Sequence, residues 1–190
     1  MPVLRGRRVT LIPLAEVDRD ALFEACRPEE VWRLMPMPLG RNRAIFDDYV
    51  EAALQQERDG TSLPFAILDG ERVVGSTRIC ALEPAHRKGE VGYTWHHPSV
   101  WRTHVNTESK RLILGHAFET LELIRVFFNV DERNTRSQAA VLRLGAVREG
   151  LLRHDRILHD GFRRNTVVFS LLAEEWPAAR ARLDEAIGAD

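Results

Sequence analysis

The segment from Asn129 to Arg153 holds residue types whose spacing suggests chemistry. Its sequence, NVDERNTRSQAAVLRLGAVREGLLR, indicates an apolar strand, a polar turn and a short helix. A glycine then ends the helix before a second strand. Asn134 and Ser137 stand three residues apart where that helix begins. The first amide N–H groups of a helix have no acceptor within it, so this corner can hold a polar or anionic ligand. We interpret Ser137 as a hydrogen-bond donor to a leaving group, and the alternative is an ordinary serine on an exposed turn.

A second candidate site lies where a strand gives way to the longest predicted helix, in EVGYTWHHPSVWRTHVNTE (residues 90–108). The opening of that helix collects five polar side chains: Arg102, Thr103, His104, Asn106 and Thr107. Free amide N–H groups and the positive end of the helix dipole favour a pyrophosphate there, and an arginine can pair with it. The alternative is an ordinary helix cap made by Asn106 or Thr107.

Glu90 interrupts an otherwise apolar strand, and strand alternation places it on one face with Gly92 and Thr94. A carboxylate in such a strand is costly unless it is paired or hydrated, so Glu90 is predicted to face a cleft. There it could act as a general base, directly or through a water molecule. The alternative is an edge carboxylate in a salt bridge with Arg78 or Arg87.

A metal site is not predicted. His96, His97 and His104 are close in sequence, but His96 and His97 are adjacent on a strand and point to opposite faces. No HxxxH spacing or cysteine partner accompanies them. Cys26 and Cys80 are isolated thiols, as expected in a reducing cytosol.

Length and composition indicate a single folded domain over residues 1–190, with 44% hydrophobic and 29% charged residues. The net charge of −1 gives no global field that would recruit nucleic acid or an anionic membrane. Residues 125–164 are locally basic, with nine arginines against five acids, which indicates either a ligand region or a solvated surface. We expect no signal peptide and no membrane span, hence a soluble cytoplasmic protein.

The predicted elements that position these residues alternate between strands and helices. Strands are predicted at residues 9–14, 63–68, 73–82, 90–96, 125–130, 146–157 and 163–172. Helices are predicted at residues 17–27, 44–58, 107–122 and 135–144, with a last one opening at Trp176-Pro177. Thr135 and Gln138 are predicted to form a capping box. The crossover from strand 90–96 to strand 125–130 requires a parallel pair, so we expect an α/β fold with a mixed, mostly antiparallel central sheet and helices on both faces.

The apolar loop around residues 31–39 leaves three interpretations open: a lid on the substrate side, a dimer contact, or packing onto the core. A homodimer is expected, through this loop or through the last strands.

Several motifs along nearly the whole chain resemble the GNAT N-acetyltransferase superfamily, in particular its ribosomal-protein-alanine N-acetyltransferase branch. These are GEVGYTW, NTESKRLILGHAFE, NVDERNTRSQAAVLRLGAVREG and DGFRRNTVVFSLL. The resemblance implies the acyl-CoA N-acyltransferase fold, with acetyl-CoA as co-substrate and no metal. It also implies direct transfer of the acetyl group, without an acyl-enzyme, to a primary amine: a protein N-terminal α-amine or a small-molecule amine.

The resemblance also implies roles for particular residues. Glu90 matches the acidic base position, Ser137 would donate to the departing thiolate, and Asn134 would bind the pantetheine or the acetyl-carrying end. The strand ending at Trp95 and His96 would hold the pantetheine arm through backbone groups, and residues 102–107 would hold the pyrophosphate. The implied cofactor-binding set is Trp95, His96, His97, Arg102, Thr103, His104, Val105, Asn106, Thr107, Asn134 and Ser137.

One departure from the family pattern concerns the pyrophosphate loop, usually Gln/Arg-x-x-Gly-x-Gly/Ala. Both glycine positions hold other residues here, His104 and Asn106. Glycine lets the backbone approach a ligand closely, so a second hypothesis is a catalytically weak CoA-binding or partner-binding module on the same fold. A third is an RNA- or ribosome-surface protein using the arginine-rich residues 125–164, which lack the interleaved aromatic residues that stack on bases.

Overall fold

One eight-stranded sheet organises the chain, as described by a computed structural model for residues 1–189. The strands are β1 (Leu4–Arg5), β2 (Val9–Pro13), β3 (Leu63–Asp69), β4 (Arg72–Glu83), β5 (Lys88–His96), β6 (Arg125–Asp131), β7 (Val147–Ile157) and β8 (Arg163–Leu172). The helices are α1 (Arg19–Cys26), α2 (Glu29–Trp32), α3 (Arg43–Arg58), α4 (His104–Gly115), α5 (Thr135–Arg143) and α6 (Trp176–Gly188). Across the sheet the strand order is β1-β2-β3-β4-β5-β6-β8-β7.

The sheet is antiparallel except where β5 meets β6. This parallel pair has only three registered positions, ending at Glu90 opposite Phe127. Beyond them the two strands diverge, and we call the space between residues 91–96 and residues 128–131 the β5–β6 gap. The predicted mixed α/β fold with one parallel pair is therefore confirmed.

Helices cover both faces of the sheet and enclose two cores. The first core joins α4, α5 and α6 to one face, around residues such as Phe65, Ile113 and Phe169. The second joins α1, α2 and α3 to the other face, around Leu22 and Phe46. Side chains of adjacent β3 residues alternate between the cores, as the pleat of a strand requires.

A β-bulge in β5 changes which face its side chains occupy. Arg78 of β4 lies opposite Gly92 and Ser76 lies opposite Trp95, so two residues of β5, Tyr93 and Thr94, oppose one residue of β4. Tyr93 takes a left-handed backbone conformation, with φ of 50°. A bulge re-aims the side chains that follow it.

Several predicted boundaries were wrong for local reasons. The helix predicted at 107–122 begins at His104 and becomes a π-helical turn, His116–Thr120, after Gly115. It starts early because Thr103, not Asn106 or Thr107, caps it: the Thr103 side chain accepts from the amide of Val105. The short strand β1 was not predicted, whereas α2 lies in residues 28–41, where the sequence indicates a loop with short helical turns.

The predicted capping box of Thr135 with Gln138 is also wrong. Asn134 caps α5, since its Oδ1 accepts from the amide N–H of Ser137 at 3.0 Å. The Gln138 side chain instead donates to the carbonyl oxygen of Glu132 at 2.8 Å. Asn134, which was predicted to contact a ligand, therefore also caps the first turn of α5.

The loop around residues 31–39 packs largely onto the second core. Val31 and Leu39 are buried, and Trp32, Met35 and Met37 pack against the same cluster. Of the three interpretations left open, this contact pattern favours packing onto the core. No helix in the described part of the chain is long and apolar enough to cross a membrane.

Candidate active site

Glu90 lies at the base of the β5–β6 gap, at the last position of β5 that pairs with β6. Its residue is only 9% exposed, and Oε2 accepts a hydrogen bond from Nδ2 of Asn129 on β6 at 2.9 Å. A β-carbon at Gly92 would come within 2.6 Å of Glu90 Oε1, so this position of the carboxylate requires a glycine at residue 92. Burial raises the pKa of Glu90, against the lowering effects of the Asn129 hydrogen bond and of Arg156 and Arg164.

The salt-bridge alternative for Glu90 is not what the structure shows. Arg78 stacks between two tyrosine rings, with its guanidinium carbon 4.2 Å from the Tyr93 centroid and 4.7 Å from the Tyr49 centroid. Arg87 donates from Nε to the carbonyl oxygen of Glu122 at 2.8 Å. Within residues 1–189, Glu90 forms no ion pair closer than 4.0 Å. It is a buried carboxylate held by an amide.

The face of the sheet that carries Glu90 also carries Tyr93 and Asn129. Arg164 of β8 supports this face, because its Nη2 donates to the carbonyl oxygen of Asn129 at 3.2 Å. Trp32 of α2 and His159 of the β7–β8 turn lie over the same side of the sheet as each other, with ring centroids 6.0 Å apart. Tyr93 belongs to the second core, so Glu90 lies on the face of the sheet that α1–α3 cover.

The opposite face of the gap, under α4, carries Thr94, His96 and Lys110. Thr94 was predicted to share a face with Glu90, and the prediction is wrong because the bulge at residues 93–94 intervenes. Lys110 Nζ donates to Thr94 Oγ1 at 3.0 Å, and Thr94 Oγ1 lies 2.7 Å from Thr77 Oγ1. Burial lowers the pKa of Lys110 to about 8. Burial, then the charges of Lys110 and Arg136, lower the pKa of His96 to about 3, so His96 is neutral at physiological pH.

The opening of α4 combines free amide groups with positive charge. Thr103 satisfies the amide of Val105, and the other first-turn amides have no acceptor within the helix. Arg136 of α5 lies 3.6 Å over the ring of Trp101, whose Nε1 donates to the carbonyl oxygen of His96 at 2.9 Å. Burial and the charge of Arg102 lower the pKa of Arg136, so the two guanidinium groups repel each other. Such an arrangement can accept an anion.

The two positions where glycine was expected are accommodated without positive φ. His104 is turned toward the β3–β4 hairpin, with Nε2 3.1 Å from Asp69 Oδ1, and it forms the first turn of α4 together with Asn106. The left-handed conformation falls two residues before His104, at Arg102, with φ of 64°. The side chain at position 104 is thus directed at Asp69 instead of obstructing the helix opening.

Two of the predicted cofactor residues have their side chains in the cores. Trp95 is 3% exposed and Val105 is fully buried. The amide of Val105 already donates to Thr103 Oγ1, and its carbonyl oxygen accepts from Ser109 Oγ. Thr107, also predicted, lies partly buried in the first turns of α4. His97 is tied by its Nδ1 to Ser99 Oγ at 2.8 Å. Of the other residues predicted between 95 and 107, His96 lies at the gap. The rest lie at the opening of α4: Arg102, Thr103, His104 and Asn106.

Asn134 and Ser137 open α5 directly after β6. The cap uses Asn134 Oδ1, and among residues 1–189 its Nδ2 has no hydrogen-bond partner. The Ser137 hydroxyl likewise forms no hydrogen bond within the described chain, and the residue is half-buried. The Asn134 amide nitrogen and the Ser137 hydroxyl are therefore unpaired among the described residues, and their binding of a ligand stays a prediction.

Asn129 and Lys110 were missed as candidates in the sequence. Asn129 carried a readable signal, because an amide interrupts the apolar strand RVFFNV and shares a face with Phe127. Lys110 carried none, since one lysine on an amphipathic helix normally faces water. Over residues 1–189 no group of three or more His, Cys, Asp or Glu side chains could hold a metal ion.

A mixed sheet with one diverging parallel pair, an anion-accepting helix opening beside it and a buried carboxylate at its base define an acyl-CoA N-acyltransferase fold. The sequence model of the Acetyltransferase (GNAT) domain family matches residues 8–147. The chain belongs to this family, in the branch similar to ribosomal-protein-alanine N-acetyltransferases, and it is an acetyl-CoA-dependent N-acetyltransferase.

Three relatives illustrate the similarity. The chain is 30% identical over 139 residues to the "Putative ribosomal N-acetyltransferase YdaF" of Bacillus subtilis (strain 168), covering 71% of this chain and 75% of that protein. A GCN5-related N-acetyltransferase from Brucella melitensis superposes with a TM-score of 0.89 at 27% identity, covering 98% of this chain and 85% of its own. Mycobacterium smegmatis RimJ, solved in complex with CoA-disulfide, superposes with a TM-score of 0.79 at 26% identity, covering 97% and 93%.

Proposed function

We propose that this single domain transfers the acetyl group of acetyl-CoA directly to the α-amine of a protein or peptide, with Glu90 as the general base. The observation that carries the proposal is the buried carboxylate at the base of the β5–β6 gap. A carboxyl group whose pKa is raised by burial is a better proton acceptor at neutral pH than an exposed one. A named ribosomal N-acetyltransferase among the relatives supports a protein acceptor.

The residues around the gap fit a CoA molecule. Unpaired backbone groups of β5 beyond Glu90 can bond the amides of the pantetheine arm. His96 Nε2 is buried with no hydrogen-bond partner in the described structure, which suits a polar ligand beside it. The opening of α4, with Arg102 and Arg136, would hold the pyrophosphate. When bound, acetyl-CoA supplies an activated thioester.

Each residue then has a defined part in the reaction. Glu90, directly or through a water molecule, removes a proton from the amine as the new N–C bond forms and the C–S bond breaks. A backbone N–H near Trp95 stabilises the charge that develops on the thioester oxygen. Ser137 donates a hydrogen bond to the departing thiolate, and Asn134 binds the arm near its reacting end. Because the amine attacks the thioester directly, no residue carries the acetyl group.

An α-amine suits a site whose base is one carboxylate. With a pKa near 8, an α-amine is already about 10% neutral at pH 7, whereas a lysine amine has a pKa near 10.4. The difference of about 2.4 units corresponds to about 3 kcal/mol of extra deprotonation. We therefore expect N-terminal or other low-pKa amines to react well ahead of lysine side chains.

The test is calorimetric binding of acetyl-CoA, with desulfo-CoA as control, followed by an acceptor screen of peptides with free and with blocked N-termini. Micromolar binding and acetylation of free N-termini alone are the expected results. A His104→Gly variant addresses the alternative of a weak CoA-binding module. Binding that appears only in this variant would contradict the proposed activity and support the alternative.

We further propose a homodimer formed through β7. This strand pairs only with β8 in the described sheet and ends it, so one long edge of backbone groups is open. It also exposes large apolar side chains: Val147, Leu151, Leu152 and Ile157. A second copy of the chain would cover both the open backbone edge and the apolar side chains of β7. Light scattering should then give the mass of two chains.

A further inference from the structure

Lys110 is a buried cation in a chain that otherwise uses arginine. The sequence has 27 basic residues, and only Lys88 and Lys110 are lysines. Lys110 is 7% exposed. Its Nζ lies 3.0 Å from Thr94 Oγ1 of β5 and 5.8 Å from the ring centroid of Phe128 of β6. The ammonium therefore lies between the two diverging strands, just beyond their last paired residues.

The ammonium has fewer partners than it has donors. Of its three N–H groups, one is accounted for by Thr94. No carboxylate of the described residues lies within 4.0 Å of Nζ, and the neighbouring His96 Nε2 also lacks a partner. Burying a charged amine without an anion or a full set of acceptors is unfavourable. Both polar groups face the same side of the gap, so one ligand with several oxygen atoms would satisfy them.

We propose that Lys110 is a cofactor contact, whose ammonium donates a hydrogen bond to a carbonyl oxygen of the pantetheine arm within the β5–β6 gap. The inference rests on the proposed function. The arm must run from the opening of α4 to Glu90, and Lys110 lies six residues along α4, about 9 Å from that opening. Lys110 is therefore placed beside the pantetheine arm, on the face of the gap opposite the one from which the amine substrate would approach.

Lysine fits this position for a physical reason. An ammonium is compact, whereas a guanidinium is broad and planar. Thr94 Oγ1 and the ring of Phe128 lie 3.0 Å and 5.8 Å from Nζ, and the residue is buried, so a compact group suits this position. We therefore choose Lys110→Met as the test substitution, because methionine keeps a flexible stem of similar volume and removes only the charge and the donors.

The experiment compares two ligands on three proteins by calorimetry. Acetyl-CoA contains the pantetheine arm, and adenosine 3′-phosphate 5′-diphosphate shares its nucleotide and pyrophosphate only. Lys110→Met should weaken acetyl-CoA binding by roughly 10- to 100-fold, as expected for a hydrogen bond from a charged donor, and leave the nucleotide unchanged. Lys88→Met is the matched control, since Lys88 pairs with Glu83 at 3.0 Å before the gap begins, and it should bind both ligands normally.

A second measurement uses the wild-type protein and needs no variant to fold. With lysine labelled at Cε, the NMR spectrum has two side-chain signals, and acetyl-CoA should shift that of Lys110 while the nucleotide leaves it in place. Unchanged acetyl-CoA affinity in Lys110→Met, or equal loss for both ligands, would overturn the inference alone. Failure of the wild type to bind acetyl-CoA would overturn the proposed function together with it.

Discussion

Replacing Glu90 by glutamine separates its proton-accepting role from its place in the structure. Glutamine has the same size and retains an oxygen that can accept from Asn129 Nδ2, now 2.9 Å from the carboxylate. A positioned general base contributes roughly 100- to 10,000-fold to a rate. We expect kcat/KM to fall by at least about 100-fold, which corresponds to about 2.7 kcal/mol of transition-state stabilisation.

The effect on stability should have the opposite direction. Burial raises the pKa of Glu90, so the folded protein favours the neutral carboxyl form. Above the unfolded pKa of about 4.3, the ionised carboxylate therefore reduces the free energy of unfolding. Glutamine removes this penalty, and the Tm of Glu90→Gln at neutral pH should equal or exceed that of the wild type.

Glu149→Gln is the matched control, because Glu149 has the opposite environment. Both of its oxygens accept from Arg125 at 2.6 Å, and this pairing lowers its pKa to about 2. Its contribution to stability is present above pH 4.5 and is lost as the pH falls toward 2. The pair is partly exposed, so Glu149→Gln should lower stability by at most about 1 kcal/mol and leave kcat/KM unchanged.

The assay measures thiol release from acetyl-CoA with a peptide acceptor between about pH 5 and 9, beside calorimetric Kd and thermal melts. Wild-type kcat/KM should rise twice, once as the pH passes through the raised pKa of Glu90 and once as the acceptor α-amine loses its proton near pH 8, and the variant should keep only the second rise. Full activity of Glu90→Gln at neutral pH would refute the assignment. Lost activity accompanied by a lower Tm or weaker acetyl-CoA binding would refute it as well, since the loss would then be structural.

Two further predictions concern Ser137 and the β7 edge. Ser137→Ala should lower kcat by about 10-fold with little change in acetyl-CoA affinity, since a hydrogen bond to a thiolate forms only as the bond breaks; an unchanged kcat would remove Ser137 from the mechanism. Leu152→Glu, at a side chain 48% exposed on the edge strand, should convert the dimer to a monomer by light scattering without lowering the Tm of the isolated fold; an unaltered mass would place the dimer contact elsewhere.

Much of the fold was accessible from sequence because it depends on periodicity and on turn signals. The Asp69-Gly70 pair between the strands predicted at 63–68 and 73–82 is typical of a hairpin turn, as observed for β3 and β4, and the crossover through α4 required the parallel pair. Glu90 in an apolar strand also drew attention to a carboxylate that the structure buries and pairs with Asn129, while its role in catalysis stays a prediction. These features follow from patterns over many residues, which single substitutions do not disturb.

It was harder to predict which face of the sheet each side chain of the site occupies, because a single residue, Tyr93, changes the alternation of β5. Strand alternation placed Glu90 and Thr94 together, but the left-handed conformation of Tyr93 inserts an extra residue and separates them. Tyrosine is not a residue type that favours positive φ, so no local signal marks the bulge. The hydrogen bond from Lys110 Nζ to Thr94 Oγ1 follows from this bulge, because the bulge turns Thr94 toward α4.

On the proposed function, the bulge gives the two substrates separate faces of one gap. In a regular strand, Glu90 would lie on the same side as Thr94 and His96, and therefore beside the cofactor arm that we propose for that side. With the bulge, Glu90 and Asn129 face α1–α3, while Thr94 and His96 face α4, which carries Lys110. The amine would then reach the proposed base without displacing the arm, and the thioester would lie where the two faces meet. Glu90 and Lys110 are both buried at this gap, and burial shifts the pKa of each toward its neutral form. Keeping two buried ionisable groups costs the protein stability, and such a cost is expected at a site kept for chemistry.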